Sequence, residues 1–131
     1  MNKPRNLPDG SDRREVRATP RIRIVFGDGM RIGPGKADLL EAIGRTGSIS
    51  AAGRELGMSY RRAWLLVDSL NQMFTQPVVT ANAGGAHGGG AGLTPFGADM
   101  LAAYRRVEAR MRDVVEEEFG RFEAEVVVDG A

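Results

Sequence analysis

Polar and apolar positions alternate through Ile22, Arg23, Ile24, Val25 and Phe26, the pattern of a half-buried strand. Gly27-Asp28-Gly29 reads as a hairpin-type turn, and Met30-Arg31-Ile32 as a short return strand. From Pro34, placed where a first helical residue tolerates proline, the period lengthens. Ala37, Leu39, Leu40 and Ile43 form a helical stripe that stops near Gly47. Ser48 is a suitable N-cap for a short second helix with Ile49, Ala52 and Leu56 on one face, broken at Gly57. Ser59 caps a third helix running to about Phe74. After Pro77, Val78-Val79-Thr80-Ala81 predicts a strand, residues 84–92 hold six glycines in nine positions, and Ala91-Gly92-Leu93 predicts the return strand. Thr94 then caps a long helix with Pro95 at its first position. Along that helix Met100, Tyr104, Val107, Met111 and Val114 recur at spacings of four, three, four and three. Val126-Val127-Val128 predicts a last strand, and no internal repeat is found.

Two short helices joined by a glycine turn and followed by a β-hairpin give the order of a winged helix-turn-helix. The predicted fold class is mainly α with small β elements, ending in a long C-terminal helix. The chain divides into a flexible basic arm (1–20), the winged helix-turn-helix (21–94), a long linker or dimerisation helix (95–122) and an acidic tail (123–131). The five heptad-like residues of the long helix are the dimerisation candidates. Packing of the same helix on its own domain stays open beside that, because the repeat lasts only about two heptads.

On a wheel of about 100° per residue, Ala63, Leu66, Val67, Leu70 and Phe74 of the third helix lie together and form its buried face. Arg61, Leu65, Asp68 and Gln72 lie opposite, with Arg62 and Trp64 on the flanks. The outward face therefore opens with Ser59, Arg61 and Arg62. Recognition helices present such N-terminal residues to base edges in the major groove. An arginine pairs with guanine O6 and N7, and Leu65 suits a thymine methyl. Ser48 and Ser50, at the start of the second helix, are further DNA-contact candidates. Trp64 and Tyr60 weigh more as core anchors than as base contacts.

Composition sharpens the picture mainly by exclusion. The 131 residues include no cysteine and one histidine, so a cysteine zinc site, a disulfide and a cysteine nucleophile are excluded. The glycine-rich stretch lacks the Lys-Ser/Thr of a Walker loop and reads instead as a wing tip along the DNA backbone, with His87, Gly88 and Gly89 as contact candidates. His87 is equally readable as a plain surface histidine. No catalytic set emerges, so no enzyme, metal or cofactor is expected. The N-terminal stretch has no apolar signal-peptide core and no run is long enough to cross a membrane, which points to the cytoplasm. The net charge of +1 is unevenly spread. Residues 1–25 carry seven basic side chains against three acidic ones, and residues 111–131 carry two against seven. A polyanion would favour the first end and avoid the second.

The run from Gly47 to Trp64, with Ser59-Tyr60-Arg61-Arg62-Ala63-Trp64 at its end, resembles the helix-turn-helix of molybdate-responsive ModE-type regulators, relatives of the LysR-type winged helix. Gly88-Gly89-Gly90-Ala91-Gly92-Leu93-Thr94-Pro95-Phe96-Gly97 is similar to that family's wing and linker helix. The resemblance covers roughly residues 20–115 and implies a homodimeric, sequence-specific binder of double-stranded DNA, with Ser59, Tyr60, Arg61, Arg62 and Trp64 in the recognition region. Members of the family carry C-terminal molybdate-binding modules, for which 131 residues leave no room. The expected signal is thus an unidentified effector or partner protein, or none. Two other readings compete: a protein-interaction module, and an oxyanion sensor with weak DNA binding.

Overall fold

Proline, glycine and capping hydroxyls divide the chain where its hydrophobic period changes, and the elements follow that punctuation. The computed structural model describes residues 16–82 and 90–128. Its elements are strands β1 (Ile24–Phe26) and β2 (Met30–Ile32), helices α1 (Pro34–Thr46), α2 (Ile49–Glu55) and α3 (Tyr60–Met73), strands β3 (Val79–Asn82) and β4 (Gly90–Leu93), and helix α4 (Pro95–Phe119). A 3-10 turn, Gly120–Glu125, follows. The architecture is a winged helix-turn-helix, mainly α with two small β-hairpins and a long C-terminal helix. The described residues divide into two compact units, one within residues 21–108 and the other formed by 16–20 with 109–128.

In the first unit, both hairpins are antiparallel. Ile24 faces Ile32 in one, and Val79 faces Leu93 in the other. Pro34 opens α1, and Gly47 closes it with a left-handed φ of 73°, its N–H donating to the Ile43 carbonyl. The apolar stripe of α1 is fully inside: Ala37, Leu39, Leu40, Ala42 and Ile43 are at most 1% exposed. α1 is central because it meets β2, α2, α3 and β4. Leu70 of α3, Val78 before β3 and Tyr104 of α4 complete this core. An edge-to-face chain of rings, Phe26 to Phe74 to Phe96, joins the first hairpin, the end of α3 and the start of α4, with centroids 5.7 and 5.3 Å apart.

Arg105 of α4 fastens that helix to α1. Its guanidinium reaches Asp38 and Glu41 of α1 and Glu108 on its own helix, each at 2.9 Å. Hydrogen bonds to those carboxylates hold the Arg105 pKa above its ordinary value, against the opposing effect of burial. Thr94 caps α4 as expected: its hydroxyl accepts the Gly97 N–H at 2.9 Å and donates to the Pro77 carbonyl at 2.7 Å.

In the second unit, the Ala18 N–H donates to the Glu123 carboxylate at 2.8 Å. The Phe119 and Phe122 rings lie 5.7 Å apart, and the Arg121 guanidinium sits over Phe122. Two expectations are corrected here. The long α-helix ends at Phe119 and not near 122: Gly120, a poor helix former, follows, and the chain continues as the 3-10 segment. Val126-Val127-Val128 forms no strand: among the described residues no ladder partner lies beside it, and a β-branched run without one stays irregular.

Candidate nucleic-acid interface

The helix-turn-helix is built from caps and close approaches. Ser48 accepts the Ala51 N–H at 3.0 Å to start α2. A Cβ on Gly53 would lie 3.2 Å from Ala63 Cβ and 3.3 Å from the Met58 carbonyl, so the glycine lets α2 and α3 nest. Gly57 takes a left-handed φ of 74° in the turn between them. Ser59 then accepts the Arg62 N–H at 3.1 Å and starts α3. On the far side of α2, Arg45 and Glu55 form a two-armed ion pair at 2.9 and 2.5 Å that ties α1 to α2. That hydrogen bonding raises the arginine pKa and lowers the glutamate one.

α3 buries Ala63, Val67 and Leu70 and turns its other face to solvent. Tyr60 is 57% exposed, Trp64 45% and Leu65 47%. The weight given to Trp64 and Tyr60 as core anchors is thereby corrected: both are exposed, and neither belongs to the buried cluster or packs against it. Arg61 and Arg62 are exposed, and among the described residues neither side chain has a hydrogen bond or ion pair, whereas Arg45 and Arg105 are fully engaged. No acidic residue occupies the first turn of α3, so its positive dipole end is not neutralised locally.

The β3–β4 hairpin is held beside this face by Asn71 of α3. Its carboxamide oxygen accepts the N–H groups of Val78 at 2.7 Å and Val79 at 3.0 Å, and its nitrogen donates to the Val79 carbonyl. Between the start of α2, the flank of α3 and the hairpin runs a groove of about 350 Å³, lined by residues including Ser48, Ser50, Tyr60, Trp64, Thr80 and Ala91. Among the described residues, none that lines it is charged.

The structure thus brings Ser48, Ser50, Ser59, Tyr60, Arg61, Arg62, Trp64 and Leu65 to the helix-turn-helix. His87, Gly88 and Gly89 lie outside the described residues. Sequence reasoning passed over Asn71 and Thr80, which have no local signature. It also passed over Arg54, exposed on α2 and donating to Ser50 Oγ at 3.0 Å, although the four-residue spacing of that pair is itself a helical signal.

The heptad-like residues of α4 do not share one environment. Tyr104 is 3% exposed and its hydroxyl donates to the Ile22 carbonyl at 2.6 Å. Met100 packs on the same core, and Val107 is half-buried. Tyr104 and Met100 therefore serve the chain's own core and not a partner's surface. Met111 and Val114 are 36% and 42% exposed. Among the described residues no cluster of histidine, aspartate or glutamate could hold a metal ion, and no helix is long and apolar enough to cross a membrane.

No family model matches the chain. It is 56% identical over 81 residues to the molybdenum-pterin-binding protein MopB of Rhodobacter capsulatus, a match covering 62% of this chain and 30% of that protein. It is 40% identical over 78 residues to the molybdenum transport protein ModE of Azotobacter vinelandii, covering 60% of this chain and 29% of that one. It is 37% identical over 71 residues to the DNA-binding transcriptional dual regulator ModE of Escherichia coli, covering 54% and 27%. The chain spans about 30% of the length of the curated relatives it matches. The resemblance to ModE-type regulators thus holds across more than half of the chain.

Proposed function

We propose that this chain is a ModE-like transcriptional regulator that binds double-stranded DNA sequence-specifically, as a homodimer on a two-fold operator, and that it is linked to molybdenum metabolism. The observation that carries this reading is the first two turns of α3. There Arg61, Arg62 and Leu65 face solvent from a capped helix start, with both guanidinium groups unpaired among the described residues. A helix of this width enters the major groove. Arg61 and Leu65 then meet base edges, while Arg62 and the Ser59-capped helix start meet phosphates. The names of the relatives support the two parts of the proposal, DNA-binding regulation and molybdenum. Met111 and Val114 offer the exposed apolar face on which two copies would pair. A second reading, docking of a protein partner, draws on the exposed Phe119, Phe122 and Val127.

Selection from a random duplex pool separates the two. The wild-type chain is expected to enrich a near-palindromic motif with steeply salt-dependent affinity, and the Arg61→Ala, Arg62→Ala double variant to lose it. Enrichment that survives the double substitution would remove α3 as the reading helix. No enrichment at all would leave partner docking as the better account.

A further inference from the structure

The groove beside α3 differs in chemistry from the arginine face. It has aromatic walls at Tyr60 and Trp64, hydroxyls at Ser48, Ser50 and Thr80, and no charge among its lining residues. The Ser48 and Ser50 oxygens already accept from the Ala51 N–H and the Arg54 guanidinium. Each hydroxyl proton therefore remains available to an acceptor from outside. Thr80 stands exposed on β3 opposite Gly92, a residue with no side chain to cover it. Among the described residues no lining side chain is itself charged, and the Arg54 guanidinium beside Ser50 is already engaged with its hydroxyl oxygen. A duplex strand edge fits this chemistry: deoxyribose presents an apolar face between phosphates that need hydrogen-bond donors.

We infer that this groove seats one sugar-phosphate strand of the duplex. Trp64 and Tyr60 pack on deoxyribose, and the hydroxyls of Ser48, Ser50 and Thr80 donate to phosphate oxygens, while Arg61 and Leu65 read the bases. This division rests on the DNA-binding reading above and adds to it an aromatic and hydroxyl, sequence-indifferent grip next to the base-reading face. It gives the exposed indole a use that the fold does not supply.

Trp64 is the chain's single tryptophan, so its fluorescence reports the groove directly. Titration of the full chain with an enriched 20-base-pair duplex and with an unrelated one is expected to change the emission and shield it from acrylamide in both cases. Trp64→Ala should weaken both duplexes by the same factor, roughly fivefold to tenfold, with Trp64→Phe recovering part of the loss. The slope of affinity against salt should stay unchanged, because no cation is removed. Thr80→Val should repeat the pattern with a smaller effect. Binding that leaves the emission unmoved, or a Trp64→Ala variant that changes which sequence is preferred, overturns the groove assignment while leaving DNA binding intact. Tighter binding of single strands than duplexes through Trp64 overturns it in favour of base stacking. If no duplex binds the wild-type chain, the DNA reading itself falls.

Discussion

The side chain of Asn71 replaces a strand partner for the backbone of Val79, taking its N–H at 3.0 Å and giving a hydrogen to its carbonyl at 3.0 Å. The same oxygen takes the N–H of Val78, a fully buried residue. One amide thereby fixes where the wing leaves α3. Without it, buried donors would lose their partners, at about 1–3 kcal/mol each. Asn71→Ala is expected to lower unfolding free energy by about 3 kcal/mol in urea titration, with faster hydrogen exchange at the Val78 and Val79 amides. Asn71→Asp keeps the acceptor for both N–H groups and should lose less than the alanine variant.

Gly97 makes a second demand of the same kind. A Cβ at Gly97 would drive into the Val78 carbonyl, a backbone atom that cannot rotate away. Gly35 of α1, by contrast, has nothing within 4 Å of the place its Cβ would occupy. Gly97→Ala should cost about 2 kcal/mol or more through overpacking, whereas Gly35→Ala should gain about 0.5 kcal/mol through helix propensity and a less free unfolded chain. Paired thermal melts of the two variants check this, and equal shifts would mean that α4 can slide away from β3.

Such close contacts mark the limit of what the residue pattern discloses. Ser48, Ser59, Thr94, Gly47 and Pro34 act within one turn of themselves, so their roles as caps and stops are legible from neighbours alone. The arginine face of α3 is legible for the same reason, since a buried stripe implies its opposite. Trp64 is not: it lies on the flank of the wheel, and whether a flank is covered depends on which element packs alongside. Tyr104 fails in the other direction. Its heptad spacing says that something covers it, but the covering surface is this chain's own Ile22 and core rather than another copy. Asn71, Gly97 and Arg105 act across 7, 19 and 64–67 positions respectively, and no local rule reaches that far.

The burial of Tyr104 has a consequence for pH. Its hydroxyl is held above its ordinary pKa, first by burial and then by the negative charge of Glu108. The folded state therefore holds that proton more tightly than the unfolded chain does. The resulting stability is fully present at neutral pH and falls as pH rises from about 10, the unfolded value, through the folded one. Tyr104→Phe should be less stable by about 1 kcal/mol at pH 7, through the lost hydrogen bond to Ile22. The gap between wild type and variant should narrow in alkali. A gap constant up to pH 11 would mean that the hydroxyl titrates as it does in the unfolded chain.

In the homodimeric reading proposed above, pairing of two copies would rest on the part of α4 that the core does not use. Met111 and Val114 are three residues apart, hence on one face, and both are exposed while Tyr104 is not. An apolar pair left in water at this spacing gains free energy when a second copy covers it, and a carboxylate there would lose its hydration on pairing. Val114→Glu is expected to convert a dimer to a monomer in sedimentation equilibrium at micromolar concentration, with the helical content by circular dichroism unchanged. Affinity for a two-fold site should fall far more than affinity for a half-site, because each half-site is read by one α3. Tyr104→Phe serves as the contrast: it alters the core and should leave the oligomeric state as it is. A wild-type chain that sediments as a monomer, or a Val114→Glu variant that still dimerises, would move the pairing surface away from this stretch of α4.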